Sequence, residues 1–365
     1  MRILFITRCY PPVIGGMEKV SFELTSHLTD LTSTDLIANR RGKRNLLLFL
    51  PYALFRAVYL IKLHSIDIVH LSDALLAPLG AIIKKVCRIP VVSTVHGLDV
   101  TYNSKLYQWI IPASLKKLDQ LVCISSYTCS QCLERGILSA KCRVVPNGIN
   151  PDEFYLEEAE AAKKLQTRLK IELSGKRLLL SVGHLVARKG FSWFIREVMP
   201  ELPPETVYLI IGGYGNASCG NELEAYSQLV KELKLKNRVF LLGKVSHEIL
   251  SLAYNCADLL VMPNIEVQGD MEGFGIVAVE AASCGLPVVG ANLEGIPDGV
   301  VEGKTGFLVE PGNVQGFVHA ILTYQGNREF KQKVREYAIE HFDWDRIASC
   351  YLQLFQELTS DAREA

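Results

Sequence analysis

No stretch of this 365-residue chain strings together the ~18 consecutive apolar residues that a membrane-crossing helix needs, so no span is expected. No secretory leader is expected either. Met1-Arg-Ile-Leu-Phe-Ile-Thr7 is a short apolar strand with no small-residue cleavage site after it, which points to the cytosol. Net charge is absent, with 39 Lys and Arg against 39 Asp and Glu, and a chain without positive excess is poorly suited to bulk binding of nucleic acid. That zero hides a division: residues 1–150 hold 18 basic and 9 acidic side chains, a balance of +9, and the remainder carries −9. A basic first half suits the anionic inner face of a membrane, where the protein would sit peripherally, or steers an anionic acceptor. The ten cysteines show no small-scaffold disulfide spacing. Cys129-Ser-Gln-Cys132 has the spacing of half a zinc site or a redox pair. Without a second C-x-x-C or a histidine cluster nearby, it reads as two helix-embedded thiols, and no metal is expected. Ile210-Ile-Gly-Gly-Tyr-Gly215 lacks the third glycine of a dinucleotide fingerprint, Ser218 standing in its place, so nicotinamide binding is set aside.

At 49% apolar residues the chain can fill two ordinary cores, because single cores stop growing near ~250–300 residues. Short apolar runs alternate with longer helical patterns throughout, as βαβ units with parallel sheets require. Strands are expected at 2–7, 68–71, 91–95, 120–124 and 142–145, and a second series at 177–182, 207–211, 238–241, 259–262, 287–290 and 306–308. The expected domains are 1–165, completed by about 345–365, and 175–344, with the linker region between 150 and 174. Arg40-Arg-Gly-Lys-Arg44 followed by Leu46–Leu50 reads equally as a membrane-surface segment or as a loop entering a buried helix.

The most informative segment is Glu272-Gly-Phe-Gly-Ile-Val-Ala-Val-Glu280. Helix formers from Ile276 to Ala282, stopped by Cys284-Gly285-Leu-Pro287, put one acid in the loop and the other a turn inside a helix. The unpaired N–H groups near Gly273, Phe274, Gly275 and Ile276 and the positive end of the helix dipole suit a phosphate. Tyr10-Pro-Pro-Val-Ile-Gly15-Gly16 follows the first strand, His96-Gly97-Leu-Asp99 follows the strand at 91–95, and Gly183-His184-Leu-Val-Ala-Arg188-Lys189-Gly190 follows the strand at 177–182. All lie at carboxyl ends of parallel strands, where open α/β sheets bind ligands.

Taken together these motifs resemble the retaining glycosyltransferases of the large family four, with its E-x7-E signature. That resemblance implies the GT-B fold: α/β, two facing Rossmann-like domains, each with a mostly parallel sheet, the C-terminal helix crossing back to the first domain. It implies transfer of a hexose from a nucleotide diphosphate-sugar donor to a hydroxyl of a glycan or lipid-linked acceptor, with no cofactor and no metal. His96, Glu272, Lys189 and Arg188 become the catalytic candidates. Gly15, Gly16, His184, Gly213, Gly243, Lys244, Gly273, Phe274, Gly275, Ile276 and Glu280 become the donor-binding set, and Asp99 is an acceptor-side candidate. Three departures stand out: His184 occupies the place of an arginine, Glu294 replaces a glycine before Gly295-Ile-Pro297, and Asp298 replaces a glutamate. A sugar-nucleotide epimerase on the same fold and a non-catalytic nucleotide-sugar-binding partner in glycan assembly are the alternatives.

Overall fold

The computed structural model describes residues 1–13, 15–42, 45–154, 161–213 and 221–364. Lys43 and Arg44 of the basic run, and Tyr214 and Gly215 of the glycine loop, lie outside them. The chain divides into two compact units, 1–148 with 342–365, and 149–341. This division falls earlier than the 165–175 stretch because the helix Ala161–Leu169 buries Ala161 and Leu165 in the core of the second unit.

The first unit is built on a six-stranded sheet in the order β2 (Ser33–Ala38), β1 (Arg2–Thr7), β3 (Ile68–Leu71), β4 (Val91–Val95), β5 (Gln120–Cys123), β6 (Cys142–Val144), with every described pairing parallel. Alternation along each strand splits the core into two layers. Leu4, Ile6, Val69, Leu71 and Leu121 face the helices Leu46–His64, Ala77–Cys87 and Lys105–Leu115. Ile3, Phe5, Ile68 and Val92 face Gly16–Leu31 and the C-terminal helix Trp344–Glu364, whose Ile347, Tyr351 and Phe355 are buried there. Tyr351 Oη lies 3.1 Å from Thr94 Oγ1, fastening that helix to β4. Strand β2 escaped the sequence reading because it is a polar edge strand, Ser33-Thr-Asp-Leu-Ile-Ala38, in which only Ile37 is buried.

The expectation that no segment is long and apolar enough to cross a bilayer is corrected. Leu46–His64 meets that test by length and composition, the interruptions at Pro51, Arg56 and Lys62 having masked it. Phe49, Ala53, Ala57 and Leu60 bury one face of it in the first unit's core. Its other face exposes Leu47, Leu48, Tyr52, Phe55, Tyr59 and Leu63.

The second unit carries a six-stranded parallel sheet ordered β12 (Gly306–Val309), β11 (Val288–Ala291), β10 (Leu259–Met262), β7 (Arg177–Val182), β8 (Thr206–Ile211), β9 (Val239–Gly243). The strands are nearly continuous apolar runs, as expected of a sheet covered on both faces. The chain starts at β7, runs outward through β8 and β9, then returns to β10 on the other side. β7 and β10 therefore flank the switch point where a doubly wound sheet opens its binding crevice. In the first unit the same position lies between β1 and β3.

Candidate active site

Five adjacent strands of the second unit send their carboxyl-end loops to one edge. Directly after β7, the turn Ala187–Lys189 is pressed against the loop following β10; a Cβ on Gly190 would lie 1.8 Å from the Pro263 carbonyl oxygen, so only glycine fits. That approach brings Lys189 Nζ to 2.5 Å from Glu272 Oε2, both side chains nearly buried. Arg188 Nε stands 3.7 Å from the same carboxylate, and Arg188 Nη1 is 3.3 Å from Asp270 Oδ2. Asn264 Nδ2 donates to Glu272 Oε2 at 3.4 Å. Burial by itself would push the Glu272 carboxyl up, but the charges of Lys189 and Arg188 outweigh it and hold the group below the ordinary glutamate range. Glu272 is thus a buried, ionised hydrogen-bond acceptor. Two buried atoms around it, Arg188 Nε and Asn264 Oδ1, have no hydrogen-bond partner among the described residues, an unusual condition for interior polar groups.

Glu272 opens the loop before the helix Ile276–Ser283, which starts after Gly275 in the left-handed region, φ 74°, with no side chain capping its N-terminus. Phe274 is buried and anchors the loop. The backbone of Gly273 packs on Gly295, where a Cβ would stand 2.1 Å from the Gly273 carbonyl oxygen. At the far side of the helix's first turn, Glu280 Oε2 accepts a hydrogen bond from the buried Tyr254 hydroxyl at 3.0 Å. On the other flank, His184 is exposed with Nδ1 3.2 Å from the Gly213 carbonyl oxygen, and Gly212 N–H donates to the Gly243 carbonyl at 2.9 Å. Lys244 follows on the surface. The ends of β7, β8 and β9 therefore hold His184, Gly213, Gly243 and Lys244 together, next to the Lys189–Glu272 pair.

Glu294 was noticeable in the sequence only as a departure from a glycine. The structure explains both the glycine and its replacement. The position has φ 53°, which costs an L-residue ~1–2 kcal/mol. The Glu294 carboxylate offsets part of that by accepting the Glu272 backbone N–H at 2.5 Å. Burial, reinforced by the neighbouring Glu272 charge and opposed by the hydrogen bond from Glu272 N–H, pushes the Glu294 carboxyl up to about 7. Asp270, Asn264 and Tyr254 also escaped notice, since nothing in their local sequence marks them.

In the first unit, His96 follows β4 with Nε2 2.8 Å from the Ser72 carbonyl oxygen, and its backbone N–H donates to Asp99 Oδ1 at 2.8 Å. The second Asp99 oxygen accepts Ala74 N–H at 2.9 Å, so this buried carboxylate tethers the ends of β3 and β4 to each other. Its burial raises the carboxyl above the ordinary range. Arg8, unmarked in the sequence reading, leaves β1 to meet buried Asp73 after β3 at 2.9 Å. Each unit thus has a cation from one switch-point strand paired with an acid from the other. Gly15 and Gly16 start the helix Gly16–Leu31; a Cβ on Gly15 would lie 2.2 Å from Glu18 Oε2, whereas space is open at Gly16.

Comparisons with known proteins agree with this geometry. Residues 164–341 match the pattern of the family described as glycosyl transferases group 1, and residues 14–153 match that of glycosyltransferase family 4. A GDP-mannose-dependent alpha-(1-6)-phosphatidylinositol monomannoside mannosyltransferase of Mycolicibacterium smegmatis is 28% identical, covering 100% of this chain and 99% of its own. A D-inositol 3-phosphate glycosyltransferase of Corynebacterium jeikeium is 28% identical over 80% of this chain and 73% of its own. Among solved structures, an Anabaena HepE complex with UDP superposes with a TM-score of 0.79 at 20% identity, covering 98% of this chain and 100% of that one. With two Rossmann-like units and a paired-acid loop at the second switch point, the chain belongs to the group 1 glycosyltransferases of family four and is a sugar-transferring enzyme.

Proposed function

We propose that this enzyme transfers a hexose from a nucleotide diphosphate-sugar to a hydroxyl of a glycan or lipid-linked acceptor, with retention at the anomeric carbon and without a catalytic metal. The observation that carries the reading is the buried Lys189–Glu272 pair at the switch point, with Arg188 Nε and Asn264 Oδ1 still unsatisfied beside it. Glu272, kept ionised by its two cations, accepts hydroxyls of the donor sugar. Lys189 has three donors and a carboxylate occupies only part of them, so the ammonium and the Arg188 guanidinium are placed to neutralise the departing diphosphate. The uncapped N-terminus of Ile276–Ser283 adds backbone donors for the same phosphates. Glu280, oriented by Tyr254, takes the ribose diol, and Gly213, Gly243 and Lys244 border the base. His96, Gly15 and Gly16 are the candidates that the first unit carries. The bond from the anomeric carbon to the phosphate oxygen breaks, the acceptor oxygen bonds to that carbon on the same face, and the acceptor proton passes to the leaving diphosphate.

The two relatives named for GDP-mannose and for inositol-bearing acceptors set the first pair to try. The purified chain incubated with GDP-mannose, UDP-glucose or other nucleotide sugars, and with phosphatidylinositol or inositol phosphate, should release nucleotide diphosphate only when both substrates are present. Epimerised donor in the absence of acceptor would favour the epimerase instead. Release of nothing from any donor would overturn the assignment.

A peripheral membrane site belongs to the same reading, supported by the exposed apolar face of Leu46–His64. Phe55 is 76% exposed there, and Trp109, 74% exposed, stands on a helix of the same sheet face. Exposed Arg56, Lys62 and Lys105 share these two helices and exposed Lys85 lies on Ala77–Cys87 of the same sheet face, so an anionic bilayer matches both the apolar and the charged side chains.

A further inference from the structure

Four cysteines of the first unit converge on one point although they are dispersed in the sequence. Cys123 ends β5 and Cys142 begins β6. In the parallel register Cys142 stands opposite Leu121, and Leu121 and Cys123, two apart on one strand, face the same side of the sheet. The connecting helix Ser126–Glu134 covers that side, and its Cys129 and Cys132, three residues apart, share one helix face. The Sγ atoms of Cys123, Cys129 and Cys142 all lie within 4.8 Å of one another, and Cys132 Sγ is 3.9 Å from Cys123 Sγ. The sequence reading dismissed Cys129 and Cys132 for want of a second pair. The crossover supplies that pair from the two strands.

We propose that Cys123, Cys129, Cys132 and Cys142 form a tetrathiolate site for a single zinc ion. Zinc–sulfur bonds of ~2.3 Å in a tetrahedron place neighbouring sulfurs ~3.8 Å apart. Cys123 and Cys132 stand at that spacing, 3.9 Å, while Cys123, Cys129 and Cys142 lie within 4.8 Å of one another, so a small inward turn of the Cys132 side chain completes the set around the ion. Small apolar packing alone gives no reason for three sulfurs to gather at a common centre with a fourth in contact with one of them. Cys123 and Cys132 are fully buried while Cys129 and Cys142 keep partial access, which leaves an entry path for the ion. Four protein ligands leave no open position, so the ion is structural and takes no part in sugar transfer. It fastens a nine-residue helix and a three-residue edge strand, elements too short to be stable by themselves. Binding releases the thiol protons that remain, so occupancy falls with acid.

The full-length chain, purified under reducing conditions from zinc-supplied cells without a metal-affinity tag, should contain about one zinc per chain. Cobalt added after chelation should give the visible bands of a tetrahedral thiolate complex. Cys142→Ser should lose zinc, whereas Cys350→Ser, an exposed cysteine elsewhere, should keep it. Because Cys142→Ser could fail to fold, chelation of the wild-type chain supplies an independent reading: its thermal midpoint should fall by several degrees and recover with zinc. Zinc at background level together with no cobalt bands would overturn the proposal. So would Cys123 and Cys132 recovered as a disulfide from the freshly isolated chain.

Discussion

Removing Glu272 alone from its pair with Lys189 should cost more than removing both partners. At 2.5 Å and an effective dielectric near 20, the gross attraction is ~7 kcal/mol. Most of that is consumed by taking two ions out of water, so the intact pair adds little net stability. Glu272→Gln, however, strands an ammonium whose side chain is only 8% exposed, and such an orphan costs ~3–5 kcal/mol. Lys189→Met should cost somewhat less, ~2–3 kcal/mol, because Arg188 at 3.7 Å still partly neutralises Glu272. The double variant should lose only ~2–3 kcal/mol rather than the sum of ~5–8 kcal/mol, a coupling of ~3–5 kcal/mol. Trp193 is the sole tryptophan of the second unit, its ring 5.6 Å from that of Phe317, so replacing Trp109 and Trp344 by Phe leaves a local fluorescence probe for urea unfolding. Additive losses, or single losses under ~0.5 kcal/mol, would refute a desolvated pair and leave an ordinary surface contact.

Two further outcomes are expected. Glu294 has a folded-state pKa above that of the unfolded chain, so the folded protein retains a proton that the unfolded one releases. Stability should therefore fall as pH rises from about 4.5 to 7 and level off above, a slope of order 1 kcal/mol after allowance for partial exposure that Glu294→Gln should remove; equal slopes in both proteins across pH 5–8 would contradict it. The chain should co-sediment with phosphatidylglycerol vesicles and far less with phosphatidylcholine, and a Leu48→Ser, Phe55→Ser, Trp109→Ser variant should remain in the supernatant; vesicle binding unchanged by these substitutions would remove the membrane face from the reading.

Much of the architecture could be read locally. β1, β3, β4, β7 and β10 follow from short runs dominated by apolar residues, and the helix at Ile276–Ser283 follows from helix formers ended by Gly285 and Pro287. Both kinds of signal depend on side chains a few residues apart, so they survive without tertiary information. The paired acids were legible for the same reason, because their spacing spans one loop and one helical turn.

What only the tertiary structure decided is the pairing. Lys189 meets Glu272 across 83 positions, and Arg8 meets Asp73 across 65, because strand order sets β7 beside β10 and β1 beside β3. Glu294 becomes a partner of Glu272 only when Gly295 lets two loops touch, and four scattered cysteines meet only when β5, its crossover helix and β6 are in register. A sequence encodes which face a side chain takes through its local period. The neighbour it finds there depends on register and on the handedness of crossovers, and those are settled by burying the whole sheet at once.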